Sequence, residues 1–332
     1  MHTTKKFQKD STMNKKLIAL AVAAASISSV NAAEVYSDET SSLAVGGRFE
    51  ARALMSDVEV GNEVESNKVQ DKTRVRVNIA GKTDITDTVY ALGFWEGEYV
   101  DNNEVNNRHL NAGIGGDFGQ IRYGKTDGSL GMLTDFTDIM SYHGNGAGGK
   151  ITAADRTGNN LAYVGSFDLG GNNLTVKANY VFDNGSDDAG YSAGAIYALD
   201  MGLAFGAGYG EQDVANAKTE KQAFGAISYT IGDVYVAGLY QDSRDEFGDK
   251  IQGYEFAAAY TYGKTVFSAT YNFLEDKDNN FDLTDAFNID ATHYFNKNFR
   301  TYASYKFNNL DSNKVGKVDA SDEFVLGARY DF

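Results

Sequence analysis

Arg48, Glu50 and Arg52 stand two residues apart, as do Arg74 and Arg76, and Asp135 precedes Asp138 by three. Fixed charges at such spacing can hold ions, orient dipolar solutes or move protons. Alternate residues of a strand share one face, so the period-two set reads as one charged face. Long ionised side chains cannot be packed in a dry core without partners. They ask for a wet interior. Catalysis is the competing use, because His109, His143 and His293 lie among many Ser. His293 falls on the same parity as Phe295, so an enzyme is not expected. Asp276 to Phe287 opens like a calcium loop but has Phe281 where the turn needs Gly and Phe287 where a bidentate Glu belongs. Loose divalent binding by acidic loops is the most that it allows. Gly206-Ala207-Gly208 sits in a strand pattern and leads into no helix, so it is no nucleotide loop. No cofactor and no metal site are implied.

The chain that carries these residues has 332 residues, 36 Gly, 21 Tyr and 20 Phe, no Pro and no Cys, and a formal charge of −16. Pro removes a backbone donor, so its absence suits a fold whose N–H groups nearly all sit in a sheet. Without Cys there is no disulfide scaffold. The acidic balance argues against nucleic-acid binding, which needs a basic surface. Residues 13–32 read as a signal peptide: Lys15 and Lys16, an apolar core from Leu17 to Ile27, then Val30-Asn31-Ala32 at the cleavage positions. Residues 1–12 are an upstream extension before Met13, and 33–332 form the mature domain. Beyond the leader no apolar run is long enough for a transmembrane helix.

Period two then runs to the last residue. Phe324, Leu326, Ala328, Tyr330 and Phe332 alternate with Glu323, Val325, Gly327, Arg329 and Asp331. Leu174 to Phe182 alternates with Thr175 to Asp183, and Leu43, Val45, Phe49 and Ala51 oppose Arg48, Glu50 and Arg52. Val89 to Tyr99 and Tyr191 to Leu199 are apolar on both parities. If the charged face is wet, the apolar face meets lipid, with aromatic girdles at Tyr99, Tyr180, Phe182, Tyr260, Tyr262 and Phe332. Lipid leaves no backbone group a water partner, so the sheet must close. About sixteen strands fit between residues 42 and 332, with tight turns alternating with long acidic loops such as Glu275 to Asp285. The expected fold is all-β: a 16-stranded antiparallel transmembrane β-barrel around an aqueous channel. The longest connection, residues 127–158, carries Leu130, Met132, Leu133, Phe136, Ile139 and Met140, too apolar for a loop in water. Folded into the lumen, it would bury them and present Asp135 and Asp138. Ala33 to Ser42 lacks a strand pattern and is expected to dip into the lumen.

Several runs carry a family resemblance across the mature chain: LAVGGRFEAR, TRVRVNIAGKTDITDTVYALGFWEGEY, AGIGGDFGQIRYGKTDGSLGMLTDFTDIMSYHG, NFRTYASYKFNNLDSNKVGKV and the terminal RYDF. The chain resembles a Gram-negative general diffusion porin of the trimeric 16-stranded type, in the outer membrane protein U branch. The resemblance implies a constricting third loop with Asp135 and Asp138 as its carboxylates. It implies a basic wall ladder at Arg48, Arg74, Arg76 and Arg108, with Lys150 and Arg156 as further members on the loop's return. It makes Phe332 the signal to the barrel-assembly machinery. The expected partners are a homotrimer, outer-membrane lipids and lipopolysaccharide, and small hydrophilic solutes and ions. The Pro-Glu-Phe-Gly-Gly stretch of the enteric porins is absent.

The expectation is passive diffusion of small hydrophilic solutes and ions across the bacterial outer membrane, with modest cation preference. A substrate-selective channel or an adhesin or receptor barrel are the alternatives. A sugar-selective channel would show an aromatic slide, and the lumen parity offers only scattered rings such as Tyr302.

Overall fold

The computed structural model describes residues 32–61, 63–100, 104–183, 185 and 188–332. The expected upstream extension 1–12 and all but the last residue of the signal peptide 13–32 lie outside them. The described residues lie mostly in strands. A short β1 (Ala33–Ser37) precedes β2 (Ser41–Val60), β3 (Glu63–Asp71), β4 (Arg74–Asp84), β5 (Val89–Val100), β6 (Val105–Gly116) and β7 (Gly119–Asp127). After the longest connection come β8 (Arg156–Asp168), β9 (Asn173–Val181), β10 (Gly190–Ala198), β11 (Leu203–Gln212), β12 (Glu220–Ile231) and β13 (Val234–Arg244). The chain finishes with β14 (Lys250–Tyr262), β15 (Thr265–Asp276), β16 (Phe281–Tyr294), β17 (Phe299–Asn308) and β18 (Glu323–Asp331).

Wall strands pair antiparallel with their neighbours in sequence, and β18 closes the sheet on β2 with Leu326 opposite Ala53 and Ala328 opposite Ala51. The lower half of β2 pairs with β4 and its upper half with β3. β3 and β4 are therefore one wall strand, interrupted at Lys72 and Thr73, where the Lys72 N–H donates to the Arg52 carbonyl (2.9 Å) and the Thr73 N–H to the Asp71 carboxylate (2.8 Å). The result is a closed 16-strand barrel. Among the described residues, no sheet edge is left for lipid to meet over the length of the wall.

β1 corrects the expectation for Ala33 to Ser42. All five of its residues are exposed, and it lies in the sheet beside β2, with Ala33 opposite Val45. β18 ends just above it: Phe332 and Gly47 exchange both backbone hydrogen bonds at 3.0 Å. The segment thus extends the last wall strand past the end of the chain, covering backbone groups of β2 that would otherwise be unpaired. Gly47 is required there, because a Cβ would stand 2.2 Å from the Arg76 carbonyl and 2.8 Å from the Phe332 ring. A second correction concerns Glu275 to Asp285. β15 and β16 run on to Asp276 and from Phe281, leaving a four-residue turn rather than a long loop. At the opposite rim the turns are tight, as where Gly170 and Gly171 adopt φ of +76° and +97° and the Asp168 carboxylate accepts both their N–H groups.

Burial divides the parities as the pattern requires. Phe49, Ile79, Phe256, Phe287, Ile289 and Leu326 are exposed on the outside, and Tyr99, Tyr180, Phe182, Tyr260 and Tyr262 are exposed towards the strand ends. The alternate residues, among them Glu50, Asn78, Lys177, Asn179, Glu255, Asn272 and Asn288, are buried inside. An arginine placed on the outer face at mid-strand should meet hydrocarbon. Leu326→Arg is expected to cost about 2–4 kcal/mol in denaturant unfolding from phospholipid vesicles, whereas Asn313→Arg in the β17–β18 loop should leave the midpoint unchanged.

Candidate pore constriction

The connection between β7 and β8 does not leave the barrel. Its side chains meet inward-facing residues of β10 to β14: Leu130, Leu133 and Phe136 are fully buried, with Met132, against Ile196, Phe224, Ala226, Tyr235, Leu239 and Ala257. Each large side chain removed from water contributes about 1.5–3 kcal/mol. This contact also explains why Tyr191 to Leu199 is apolar on both parities: one face meets lipid and the other meets the loop. The inward segment is slightly shorter than the expected 127–158, since Asp127 still pairs with Arg156 across β7 and β8.

Polar wall residues satisfy the loop's backbone, as a buried non-strand segment demands. At its root, the Asn179 side-chain oxygen accepts from the Ser129 N–H (3.0 Å) and its amide donates to the Ala153 carbonyl (2.8 Å). Farther along, the Tyr235 hydroxyl donates to the Phe136 carbonyl (2.8 Å), and the Glu255 carboxylate accepts from the Thr137 hydroxyl and the Ala147 N–H (2.7 Å). At the tip, Ser141 bonds Thr292 (2.7 Å), while His143 bonds Ser304 (2.7 Å) and lies 3.3 Å from Glu323. The loop therefore crosses from β9 to the region of β16 to β18.

Within that crossing, a single turn of helix at Gly131–Thr134 is followed by a bend in which Phe136 and Thr137 face the wall, fully buried. Asp135 and Asp138 on either side of them are exposed. The two expected carboxylates thus share the lumen side of one bend. The surrounding wall pushes the Asp135 carboxyl up to about 6, with Asp138 adding to the rise and Lys177 and Lys150 opposing it. Asp138 is raised for the same reason, again opposed by Lys150.

Opposite β10 to β14 in strand order stands the basic wall. The register sets Arg48 beside Arg76 and Glu50 beside Arg74, then Arg76 beside Glu98 and Arg329 beside Glu50. Glu50 is buried and lies 2.8 Å from both Arg52 and Arg74 and 3.7 Å from Arg48; the Tyr302 hydroxyl donates to it at 3.1 Å. Arg108 reaches Glu96 at 2.7 Å and Glu98 at 3.8 Å, and Arg76 also pairs with Glu98. Arg48, Arg74, Arg76 and Arg108 are thus brought together, interleaved with three carboxylates. Lys150 and Arg156 are not in that group. Lys150 is 3.8 Å from Asp155 on the loop's return, and Arg156 is 3.9 Å from Asp127 at its root. Four charged residues beyond the expected set belong to the site: Arg52, Glu96 and Glu98 in the arginine–glutamate group, and Lys177 beside Asp135. Arg52 shares the parity of Arg48, and Lys177 stands on the polar parity opposite Leu174 to Phe182, the signals that could have found them; Glu96 and Glu98 became legible only with the register.

Comparison with known proteins adds the family. The family description "Gram-negative porin" matches residues 19–313. Porin-like protein L of Photobacterium profundum is 65% identical, with 96% of this chain and 100% of that protein covered. Outer membrane protein U of Vibrio parahaemolyticus is 44% identical with the same coverage. Among solved structures, OmpF of Salmonella typhi in complex with daunomycin aligns with a TM-score of 0.78 at 23% identity, covering 90% of this chain and 100% of that one. OmpT of Vibrio cholerae in a trimer form aligns at 0.68 and 19%, covering 89% and 100%. With its closed barrel, inward loop and charged lumen, the chain belongs to the Gram-negative porins of the outer membrane.

Proposed function

We propose that this porin passes small hydrophilic solutes and ions by passive diffusion, with the bend at Asp135 and Asp138 narrowing the lumen opposite Arg48, Arg74, Arg76 and Arg108. The observation that carries the reading is the division of the bend: its apolar and hydroxyl side chains are sealed against the wall while its two carboxylates stay exposed. Opposed charges across a narrow wet gap set up a transverse field. Dipolar solutes can turn in it, whereas apolar ones must displace ordered water. Charged rings also set ion preference. The Arg group is largely compensated by Glu50, Glu96 and Glu98, while no ion pair of Asp135 or Asp138 stands among the described salt bridges. A modest cation preference follows. Tyr302, one of the scattered lumen rings, is buried and donates to Glu50. That favours general diffusion over a sugar-selective channel.

The same reading includes a homotrimer in lipid and lipopolysaccharide, Phe332 as the signal to the barrel-assembly machinery, and export by cleavage of residues 13–32. The trimer form of OmpT supports the first of these by analogy of fold.

Two expected outcomes follow for reconstituted channels. A unit charge near an ion in water is worth about 1 kcal/mol at 4 Å, so Asp135→Asn or Asp138→Asn should lower the cation-to-anion permeability ratio up to about fivefold in dilute salt. Reversal potentials under a salt gradient measure this, and anion preference in the unmodified protein would defeat the reading. The raised Asp135 carboxyl is ionised above about 6 and neutral below it. Cation preference should therefore fall between pH 7 and pH 5, and the step should flatten when both aspartates are replaced by asparagine.

A further inference from the structure

Glu255 is a fully buried carboxylate on the inner face of β14, isolated in sequence among Gly253, Ala257, Ala258 and Ala259. Burying a carboxylate costs several kcal/mol unless partners replace its water. Here the partners come from both limbs of the inward loop. The Thr137 hydroxyl donates from the outgoing limb, and the Ala147 N–H donates at 2.7 Å from the returning one. Thr137 lies between Asp135 and Asp138 and is itself fully buried. Next to it, the Phe136 carbonyl is held by Tyr235. Pinning residues 136 and 137 to the wall leaves residues 135 and 138 one orientation, towards the lumen. Asn179 joins the same two limbs at the root, through Ser129 and Ala153, but lies far along the chain from the aspartates.

We infer that Glu255 is the positioning residue of the constriction: it clasps the two limbs of the loop and thereby fixes where Asp135 and Asp138 stand in the lumen. The inference rests on the proposed role of those aspartates. Its chemistry is that of an acceptor rather than of a charge. A glutamine at 255 keeps one oxygen to accept the Ala147 N–H, and its amide can donate to the Thr137 hydroxyl oxygen. A leucine keeps neither bond and strands a buried N–H and a buried hydroxyl.

The test compares Glu255→Gln, Glu255→Leu and Thr137→Val in planar bilayers, after each barrel has been shown to be folded by its resistance to unfolding in sodium dodecyl sulfate. Glu255→Gln should keep the single-channel conductance, current noise and solute size limit of the unmodified protein. Glu255→Leu should raise current noise at least twofold and shift the permeation limit for neutral polyethylene glycols to larger sizes. Thr137→Val removes one of the two bonds without altering the wall, so it should move both readouts in the same direction by a smaller amount. Folded Glu255→Leu channels with unchanged noise and size limit would overturn the inference. So would a Glu255→Gln channel as altered as the leucine variant, since charge would then be what matters. An unmodified protein that conducts nothing would instead overturn the pore reading, so the two failures are distinguishable.

Discussion

The backbone of a chain crossing lipid must satisfy its own hydrogen bonds, and everything else in this molecule follows from that demand. It fixes closure, with β18 returning to β2, and it fixes the small device at the seam. β18 stops at Asp331, so the lower part of β2 would face lipid with bare carbonyls and N–H groups. Phe332 and β1 fill that length instead. The Phe332 ring packs 5.6 Å from Phe49, which anchors the chain end on the outer face while its backbone completes the sheet.

Closure divides the side chains into two populations with opposite solvents. The outer one is apolar. The inner one can carry charge because it faces water and because the register distributes that charge. Across β18, β2, β4 and β5, arginines and glutamates alternate closely enough that the like pair Arg48 and Arg76 is flanked by Glu50 and Glu98. Opposite charges facing one another across strands contribute about 0.2–1 kcal/mol per pair, and like charges cost similar amounts. The wall is therefore a balanced lattice more than a bare basic stripe, whereas the carboxylates of the inward bend stand outside that lattice.

Most of the wall was legible from parity. Phe324 to Phe332 and Leu174 to Phe182 declare their two faces outright, and the inner residues Lys177, Asn179 and Val325 are buried as the alternation requires. The loop's inward course was legible in Leu130, Leu133 and Phe136, which had no place in water. What escaped had physical causes. β1 spans only Ala33–Ser37 and is held by a partner strand, not by a pattern of its own. Val89 to Tyr99 looks apolar on both parities because Tyr90, Leu92 and Phe94 share the inner face with Glu96 and Glu98; their pairing with Arg76 and Arg108 depends on register, which period alone does not set. Glu255 is a single carboxylate in an alanine-rich strand. Only the path of a loop distant in sequence gives it meaning.

The central claim is that the polar face of this sheet encloses continuous water from one side of the membrane to the other. Conductance of the purified protein in planar lipid bilayers, measured over a range of potassium chloride concentrations, tests it most directly. A wet pore predicts discrete current steps whose size rises nearly in proportion to the conductivity of the bulk electrolyte. Bilayers that stay electrically sealed after insertion of folded protein would contradict it.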